Sequence, residues 1–444
     1  MAADRYAVRA NPRVRRAGCA DARLRGCAAA RLLGKATLIV TPENFLKQTR
    51  TIEVTHAPDL KTRLEWTLKF GKFFADVLFT EYGGVAAPLQ FLASGDLSPR
   101  LKRALRAPAP QLTWFNTPGP NGKTLKLTRY HAGAKGPVLL VHGSGVSSRI
   151  FSTDLIDTNL VEFLCAAGYD VWLVDLRVSV ELPSALEPTT ADAIAHEDIP
   201  AAVAQVRQLT GKDEIQVVAH CFGAVAFTMS LLSGLKGVRS ALLSQVSAHL
   251  IPGELQRIKA GLHMPQILEH LGIEDLTVLT WADDWPHNLL DEALRLYPAG
   301  HDEGCGNALR HRATFLYGLL YEHAQLSEQL HANLQELFGV HDVELFSQLA
   351  AMIRAGHVVD AHGDNVYLPN LERMNLPLCF VHGAENRCYL PVSTETTFNA
   401  LVERFGEAQY ERHVIPGYGH LDCIFGKNAA VDVYPVIVRY LEGH

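Results

Sequence analysis

The sequence predicts an α/β fold with a mostly parallel sheet, helices on both faces of that sheet, and an inserted helical cap. Between residues 111 and 250, strand-like and helix-like segments alternate along the chain. The strand-like segments are nearly continuous apolar runs, which is typical of parallel strands that helices cover on both faces. The alternation stops at residue 251 and resumes at residue 371. We therefore expect the intervening segment to form a helical cap over the strand ends.

The alternating segments follow a regular order on both sides of this insertion. Before it they are LKLTRYH, GPVLLVHG, LVEFLCAAG, YDVWLVDL, DIPAAVAQVRQLTG, IQVVAH, AFTMSLLSG and RSALLSQVS, and after it they are LPLCFVHG and YERHVIPGYGH. In DIPAAVAQVRQLTG, apolar side chains recur at helical spacing from Ile199 to Leu209. Asp198 is placed to cap the start of this helix, and Gly211 is placed to end it. The segment predicts an amphipathic helix that covers the sheet.

Changes in composition divide the chain into four parts. Residues 1–35 are rich in arginine and alanine, and they predict a poorly ordered basic tail, with an organellar targeting segment as the alternative. Residues 36–110 contain a strand-like run, a long apolar helical pattern and a linker with prolines. Residues 111–250 and 371–444 are expected to form the sheet-containing core, and residues 251–370 the cap.

The overall composition limits the possible functions. The 444 residues are 48% hydrophobic and 20% charged, which predicts a globular protein. A formal net charge of -6 offers no basic field for nucleic acid, and no apolar run is long enough to span a bilayer. The eight cysteines form neither a disulfide framework nor a CxxC pair. We therefore expect a reducing, cytoplasmic compartment and no metal or cofactor, while the oligomeric state stays open.

Cys221 lies in a sharp turn between a strand-like run and a helix-like run. The segment Ala219-His220-Cys221-Phe222-Gly223 separates the two runs, and small residues flank the cysteine on either side. This arrangement predicts a nucleophile elbow with sulfur in place of oxygen. Because the thiol would face the positive end of a helix, we expect a lowered pKa. Cys221 is the candidate nucleophile; in the alternative it is a buried structural cysteine.

His420 is the candidate general base. It follows the last strand-like segment in IPGYGHLD, where Gly417 and Gly419 let the chain turn sharply. Such a turn would bring the imidazole back over the strand ends, toward Cys221.

The group that orients His420 should follow the preceding strand-like segment, where GAENRCYLP supplies Glu385 and Asn386. We favour Glu385 as the orienting acid, although it stands one position earlier than the usual aspartate. In the alternative, Glu385 is a solvated loop residue and Asn386 orients the imidazole, as in papain-like proteases.

Gly143 and Ser144 follow the first apolar strand-like segment in VHGSG. A glycine-rich loop at this place lets backbone N–H groups face a developing oxyanion, together with the N–H of Phe222. A dinucleotide fingerprint is the competing interpretation, with Asp175 as the ribose-binding acid. We disfavour it because Ser148 stands where the third glycine would be.

These motifs resemble a known family. Residues Pro137 to Val246 and Pro377 to Leu441 resemble an α/β-hydrolase of the acid-lipase kind, in VHGSG, LCAAGYDVWLVDLR, VVAHCFGA and GYGHLDCIFG. From about Lys35 onward, the chain resembles the hydrolase portion fused to cholesterol-oxidase-like, glucose-methanol-choline oxidoreductases. ATLIVTPENFLKQTRTIEVTHA is similar to the tail of such an oxidoreductase, which makes an oxidoreductase a possible partner. The elbow cysteine departs from lipases, which carry serine.

Sulfur at the elbow suits some acyl substrates better than others. A tetrahedral intermediate on sulfur tends to expel thiolate before alkoxide, so thioesters, lactones and activated acyl groups are favoured. We expect a cysteine-dependent acyl hydrolase that acts on a bulky apolar ester, thioester or lactone, possible steroid esters included. The alternatives are an acyltransferase with the same acyl-enzyme, and a non-catalytic lipid-binding or partner-binding domain. Six cap aromatics could line the pocket or only pack the cap: Trp281, Trp285, Phe315, Tyr317, Tyr321 and Phe346.

Overall fold

The computed structural model describes residues 101–119, 122–263, 265, 275–277 and 308–444, together with positions 61, 64, 65, 67–69, 71 and 72. The chain divides into two units, Met1–Lys69 and Phe70–His444. In the first unit, the described positions are helical and exposed. The expected basic tail, most of the segment that resembles an oxidoreductase tail, and Trp281 and Trp285 of the expected cap lie outside the described residues.

The second unit contains an eight-stranded sheet and a two-stranded sheet. The strands are β1 (Gln111–Asn116), β2 (Thr124–His131), β3 (Pro137–Val141), β4 (Asp170–Asp175), β5 (Ile215–His220), β6 (Val238–Ser244), β7 (Asp275–Thr277), β8 (Val340–Asp342), β9 (Leu378–Gly383) and β10 (Tyr410–Ile415). The large sheet has the order β1-β2-β4-β3-β5-β6-β9-β10, and β7 pairs with β8.

The described α-helices of this unit lie between these strands and at the end of the chain. They are α1 (Leu160–Ala166), α2 (Ala191–Ala193), α3 (Ile199–Thr210), α4 (Phe222–Leu232), α5 (Glu254–Gly261), α6 (Ala308–Tyr317), α7 (Glu328–Ala332), α8 (Glu344–Ala355), α9 (Val392–Phe405), α10 (Asp422–Phe425), α11 (Ala429–Asp432) and α12 (Tyr434–Gly443). Short 3₁₀ turns span Ser148–Phe151, Pro183–Leu186, His323–Gln325, Leu334–Glu336 and Leu368–Met374, and a π-helical turn spans Ile194–Asp198. None of the described helices has the length and apolar character that crossing a membrane requires.

The large sheet is mostly parallel, which confirms the predicted fold class. Every neighbouring pair from β4 to β10 is parallel, whereas β1–β2 and β2–β4 are antiparallel, so β2 alone runs against the rest. Every residue of β3, β4, β5 and β9 is buried, because helices cover both faces. These are the strands that the sequence shows as continuous apolar runs.

The strand order reverses direction at β3, and this reversal opens a crevice. β3 pairs with β4 on one side and with β5 on the other, so the chain leaves β3 in one direction and later returns beside it. The loops after β3 and β5 therefore meet at the carboxyl edge of the sheet, where ligands bind in folds of this class.

The structure confirms the predicted end of α3 and corrects two other local expectations. Gly211 does end α3, in the left-handed conformation with φ of 64°. Asp198 does not cap the helix, because the π-helical turn before it continues into α3 and its carboxylate binds the Arg177 guanidinium. The segment expected to be a helical cap also contains strands β7 and β8, which pair antiparallel.

Candidate active site

Cys221 occupies a strained turn between β5 and α4. Its backbone has φ of 56° and ψ of −131°, a conformation that residues with a Cβ rarely adopt. Strain of this kind costs on the order of 1–3 kcal/mol, and it persists where the surrounding structure holds it. Here the Cys221 N–H donates to the Ser244 carbonyl at 3.0 Å, and every residue of α4 is buried. The turn is the elbow that the sequence predicts.

Two glycines allow the chain to pass close to this elbow. A Cβ atom at Gly223 would lie 2.3 Å from the carbonyl oxygen of His142, and one at Gly143 would lie 2.8 Å from the Cβ of Cys221. Neither distance is possible between real atoms, so both positions require glycine unless the backbone shifts. The loop after β3 is therefore pressed against the cysteine.

The backbone N–H groups of Ser144 and Phe222 both lie close to the Sγ atom of Cys221 and favour its thiolate form. These are two of the three residues that the sequence predicts for an oxyanion hole. For the third residue, Gly143, the structure shows a contact of the carbonyl oxygen, which lies 2.6 Å from Nδ1 of His142. The N–H groups of Ser144 and Phe222 thus converge on one point in front of the elbow.

His142 holds the peptide between Gly143 and Ser144 in place, a role that the sequence did not indicate for this residue of the predicted oxyanion loop. The Leu176 N–H donates to Nε2 of His142 at 3.1 Å, so Nδ1 carries the proton and donates to the Gly143 carbonyl. Fixing this carbonyl on one side directs the Ser144 N–H to the other side, toward Cys221. Burial lowers the pKa of His142, which keeps the ring in this neutral form.

The thiol of Cys221 is protonated at neutral pH, contrary to our expectation. Desolvation raises its pKa to about 12, because burial penalises the thiolate more than the N–H groups of Phe222 and Ser144 favour it. The N–H of Phe222, the first residue of α4, favours the thiolate in the direction that we expected, but desolvation outweighs it.

His420 reaches the same site from the other side. Gly417, with φ of 74°, turns the chain after β10, and the backbone N–H of His420 donates to the Leu320 carbonyl at 3.1 Å. The ring is fully buried, and its Nε2 has no hydrogen-bond partner among the described residues. Burial lowers its pKa well below the usual value, and nearby His220 and His382 lower it further. The imidazole is therefore neutral at rest.

The structure brings Asn386 to His420 and leaves the side chain of Glu385 on the surface. The amide nitrogen of Asn386 lies 3.0 Å from Nδ1 of His420, and Asn386 is only 1% exposed. Glu385 is exposed, and its backbone N–H donates to the Tyr418 carbonyl at 2.9 Å. Because neighbouring residues in this turn point in different directions, the geometry favours Asn386 over our first choice, Glu385, as the orienting residue.

Further hydrogen bonds hold Asn386. Its side-chain oxygen accepts the backbone N–H groups of Cys388 and Tyr389, at 2.9 and 3.0 Å. Its amide nitrogen donates to the side-chain oxygen of Gln245 at 2.9 Å. Sequence reasoning missed Gln245, which follows β6 and has φ of 80°. The sequence offers no signal for Gln245, because its distinguishing feature is burial at a strand end, which only the structure shows.

Cys221 and His420 both line a cavity of about 730 Å³, part of it open to solvent. Its walls are mostly apolar side chains, which include Tyr317 and Phe346 of the expected cap. The rings of these two residues pack with their centroids 5.6 Å apart. The other apolar and aromatic lining residues are Val146, Phe222, Pro252, Leu316, Leu320, Phe338, Leu349, Ile353, Cys388, Tyr389 and Leu421.

Few polar atoms face this cavity. Gln256 lines it, and its side-chain nitrogen is buried with no hydrogen-bond partner among the described residues. Ser144 also lines the cavity, and its hydroxyl is buried with no hydrogen-bond partner among the described residues. A cavity with apolar walls and a few polar groups suits an apolar ligand that carries a polar reacting group.

One cluster of possible metal ligands lies elsewhere in the described part of the chain. Cys379 of β9 and Glu411 and His413 of β10 place their ligand atoms within 4.8 Å of one another. His413 is already hydrogen-bonded to Glu411 at 3.0 Å, between Nε2 and a carboxylate oxygen. Asp175, the ribose-binding residue of the disfavoured dinucleotide interpretation, accepts the Ser148 N–H at 2.9 Å and is buried.

Comparison with known proteins gives one match to a family. Residues 138–432 match the sequence profile of the "Alpha/beta hydrolase family". No curated protein matches the chain significantly.

Several solved structures are similar to this chain at low identity. An esterase from Thermogutta terrifontis is 16% identical, over 75% of this chain and 98% of the esterase, with a TM-score of 0.43. A monoacylglycerol lipase from Paleococcus ferrophilus is 14% identical, over 72% of this chain and 99% of the lipase, with a TM-score of 0.48. A bromoperoxidase from Bacillus anthracis is 16% identical, over 74% and 100%, with a TM-score of 0.40.

Proposed function

This chain belongs to the alpha/beta hydrolase family, and we propose that it is a cysteine-dependent acyl hydrolase acting on a bulky apolar ester, thioester or lactone. One observation carries the proposal. The N–H groups of Ser144 and Phe222 converge on Cys221 Sγ, at an elbow whose backbone has positive φ. Donors in this arrangement would hold the oxygen of a tetrahedral intermediate formed on the sulfur.

In the proposed reaction, Cys221 Sγ attacks the acyl carbon and the carbonyl electron pair moves onto the oxygen. The oxyanion accepts the N–H groups of Ser144 and Phe222. The thiol proton passes to Nε2 of His420 and then to the leaving oxygen or sulfur, as the bond to the leaving group breaks. Water attacks the resulting thioester, and His420 carries its proton back to the sulfur. An alcohol or amine in place of water would make the protein an acyltransferase.

The cavity supports an apolar acyl group as the substrate. Its walls carry apolar side chains from the sheet loops and from the expected cap, such as Val146 and Leu349. Burying a chain of methylene groups against such walls contributes about 0.8 kcal/mol per CH₂. The reacting carbonyl would then lie where the polar groups are, beside Cys221 and His420. A screen of fatty acyl thioesters, lactones and steroid esters identifies the preferred substrate.

Binding of an apolar ligand without turnover is the second candidate, and the charge state of the site favours it. Burial raises the pKa of the Cys221 thiol and lowers that of His420, so the resting pair is neutral. A neutral thiol is a poor nucleophile. Under this candidate, the cavity would hold the ligand and the cysteine would stay unmodified.

Acylation of Cys221 distinguishes the two candidates. We would incubate the full chain with a series of acyl thioesters and matched oxygen esters, from acetyl to long acyl chains. Product release would be followed by thiol or alcohol detection, and acylated peptides would be mapped by mass spectrometry. Cys388, which lines the same cavity, is the internal reference for selective modification.

The proposal predicts acylation at Cys221 in preference to Cys388, and loss of turnover in Cys221→Ala. Cys165→Ala is the matched control, because Cys165 is a buried free thiol of α1, away from the cavity lining. Turnover that survives in Cys221→Ala would exclude the cysteine mechanism. Tight binding of an acyl compound with no acylation and no turnover would support the second candidate.

A further inference from the structure

We propose that Asn386 is a positioning residue that keeps the neutral imidazole of His420 in the Nε2–H form, so that the resting site restrains its own nucleophile. The inference rests on the proposed function, in which Nε2 of His420 must receive the proton of Cys221. It is carried by a chain of hydrogen bonds whose donors and acceptors can each be assigned.

The orientation of the Asn386 amide follows from two backbone groups. The N–H groups of Cys388 and Tyr389 lie 2.9 and 3.0 Å from one side-chain atom of Asn386. Two donors can be satisfied only by an acceptor, so this atom is the oxygen. The NH₂ group of Asn386 therefore faces the other way, toward Gln245 and His420.

One hydrogen of this NH₂ group goes to Gln245. The side-chain oxygen of Gln245 accepts the Gly383 N–H at 3.0 Å and lies 2.9 Å from the Asn386 nitrogen. The Gly383 N–H is a fixed backbone donor, so it assigns the Gln245 oxygen in the same way. Gln245 thus accepts one N–H of Asn386 and holds the amide against rotation.

His382 does not take the second hydrogen. Its Nε2 lies 3.3 Å from the Asn386 nitrogen, but it also lies 2.9 Å from the carbonyl oxygen of Tyr389. A carbonyl oxygen can only accept, so Nε2 of His382 carries a proton and is a donor itself. Burial lowers the pKa of His382 to about 4, which leaves the ring neutral, with this single proton.

The second hydrogen of Asn386 therefore points at Nδ1 of His420, 3.0 Å away. Only an unprotonated Nδ1 can accept it, so the proton of the neutral ring is on Nε2. An imidazolium would place the Nδ1 hydrogen against the amide hydrogen, and burial separately lowers the pKa of His420.

This tautomer opposes the first proton transfer. Nε2 already carries a hydrogen, so it cannot accept the thiol proton of Cys221 until that hydrogen moves to Nδ1. A proton on Nδ1 needs an acceptor, and Asn386 offers one only if its amide turns over. Turning it would leave the N–H groups of Cys388 and Tyr389 facing an NH₂ group. The tautomer of His420 with a free Nε2 is thus a minor state. The Cys221 thiol stays unreactive until the ring adopts that tautomer.

An aspartate at position 386 would favour the opposite tautomer of His420. One carboxylate oxygen could keep the N–H groups of Cys388 and Tyr389, and the other could accept a hydrogen from Nδ1 of His420. The ring would then hold its proton on Nδ1 and present a free Nε2 to the thiol. The carboxylate would also face the Gln245 oxygen, so this variant carries a risk to folding, and the primary measurement is made on the wild type.

The test is nitrogen NMR of the full chain with ¹⁵N-labelled histidine, using His420→Gln to assign the resonances. We expect a protonated Nε2 and an unprotonated Nδ1 for His420 in the wild type. A proton on Nδ1, or on both nitrogens, at neutral pH would overturn the inference. The measurement does not depend on turnover, so it tests the tautomer of His420 independently of the proposed function.

The kinetic test is the rate of Cys221 alkylation by iodoacetamide at neutral pH. Asn386→Asp should reverse the tautomer and raise the rate by about tenfold or more, since a positioned base commonly contributes 10²–10⁴. Asn375→Asp is the matched control, because it makes the same change at an exposed position before β9. A reversed tautomer with an unchanged rate would overturn the claim that Asn386 restrains the thiol. An equal increase in the alkylation rate of Asn375→Asp would also overturn this claim.

Discussion

Gly143 and Cys221 are so close that a Cβ atom at position 143 would lie 2.8 Å from the Cys221 Cβ and 3.2 Å from its Sγ. Gly143→Ala must therefore displace either the cysteine or the loop that carries the Ser144 N–H. We expect kcat/KM to fall by about 100-fold, which is the usual cost of one oxyanion donor. The measurement is steady-state turnover of an acyl thioester, together with the melting temperature.

Gly261→Ala is the control for this substitution. Among the residues that the structure describes, none places an atom within 4 Å of a Cβ built at Gly261, at the end of α5. It should leave kcat/KM close to the wild-type value. Wild-type turnover by Gly143→Ala, with an intact fold, would show that the loop after β3 takes no part in the reaction.

Cys221→Ser should shift substrate preference from thioesters toward oxygen esters. A serine alkoxide is a poorer leaving group than a thiolate, so the intermediate formed on oxygen esters returns to starting material less often. The absolute rates are expected to fall, because a serine hydroxyl needs a stronger base. The quantity to measure is the ratio of kcat/KM for a matched ester and thioester, in which uniform losses cancel. An unchanged ratio would mean that leaving-group expulsion does not decide the outcome.

Glu385→Gln should change turnover by less than about twofold, because most exposed substitutions away from a site have small effects. The Glu385 side chain is exposed, whereas Asn386 holds the contact with His420. The check is kcat/KM and its pH profile for Glu385→Gln beside the wild type. A large loss of turnover would return Glu385 to the role of orienting acid that its sequence position suggested.

Asp422 makes a specific contribution to the dependence of stability on pH. Burial raises the pKa of its carboxyl to about 7, although the N–H groups of Gly419 and Glu322 donate to it. An unfolded aspartate has a pKa of about 3.9. Between these two values the folded state binds more protons, so the contribution of Asp422 to stability is present below pH 4 and is lost as pH rises through 7.

Asp422→Asn keeps a side-chain acceptor for these two N–H groups and removes the titration. The variant should gain stability relative to the wild type as pH rises from 4 to 8. The measurement is the free energy of unfolding by urea at several pH values in that range. The difference between the two proteins isolates Asp422 from the other titratable groups of the chain. A difference independent of pH would contradict the assignment.

Leu349→Trp should narrow the cavity and discriminate against long acyl chains. Leu349 lies on α8, is 7% exposed, and lines the cavity that Cys221 faces. We expect kcat/KM for a long acyl thioester to fall by about tenfold relative to acetyl, given the 1–3 kcal/mol that shape changes in apolar pockets involve. Equal losses for short and long chains would point to general damage, which the melting temperature would reveal.

The local features of this protein could be predicted from its sequence. β3 and β5 are short apolar runs, and the turn at Cys221 is bounded by small residues. Each of these signals is contained within a few neighbouring residues. The same holds for the glycines before His420. Because apolar runs and the residues of a sharp turn are local patterns, the fold class, the elbow and the histidine loop could be predicted.

Tertiary structure alone decided how the groups of the site interact. Asn386 is turned toward His420 by contacts with Gln245, 141 residues earlier in the chain, and by the turn that leaves β9. The pKa of Cys221 depends mainly on the desolvation of its thiol by the surrounding residues. The predicted position at a helix N-terminus was therefore not enough to predict the direction of the pKa shift. Hydrogen bonds between distant segments and desolvation are properties of the assembled fold. No spacing of residues along the chain encodes either of them.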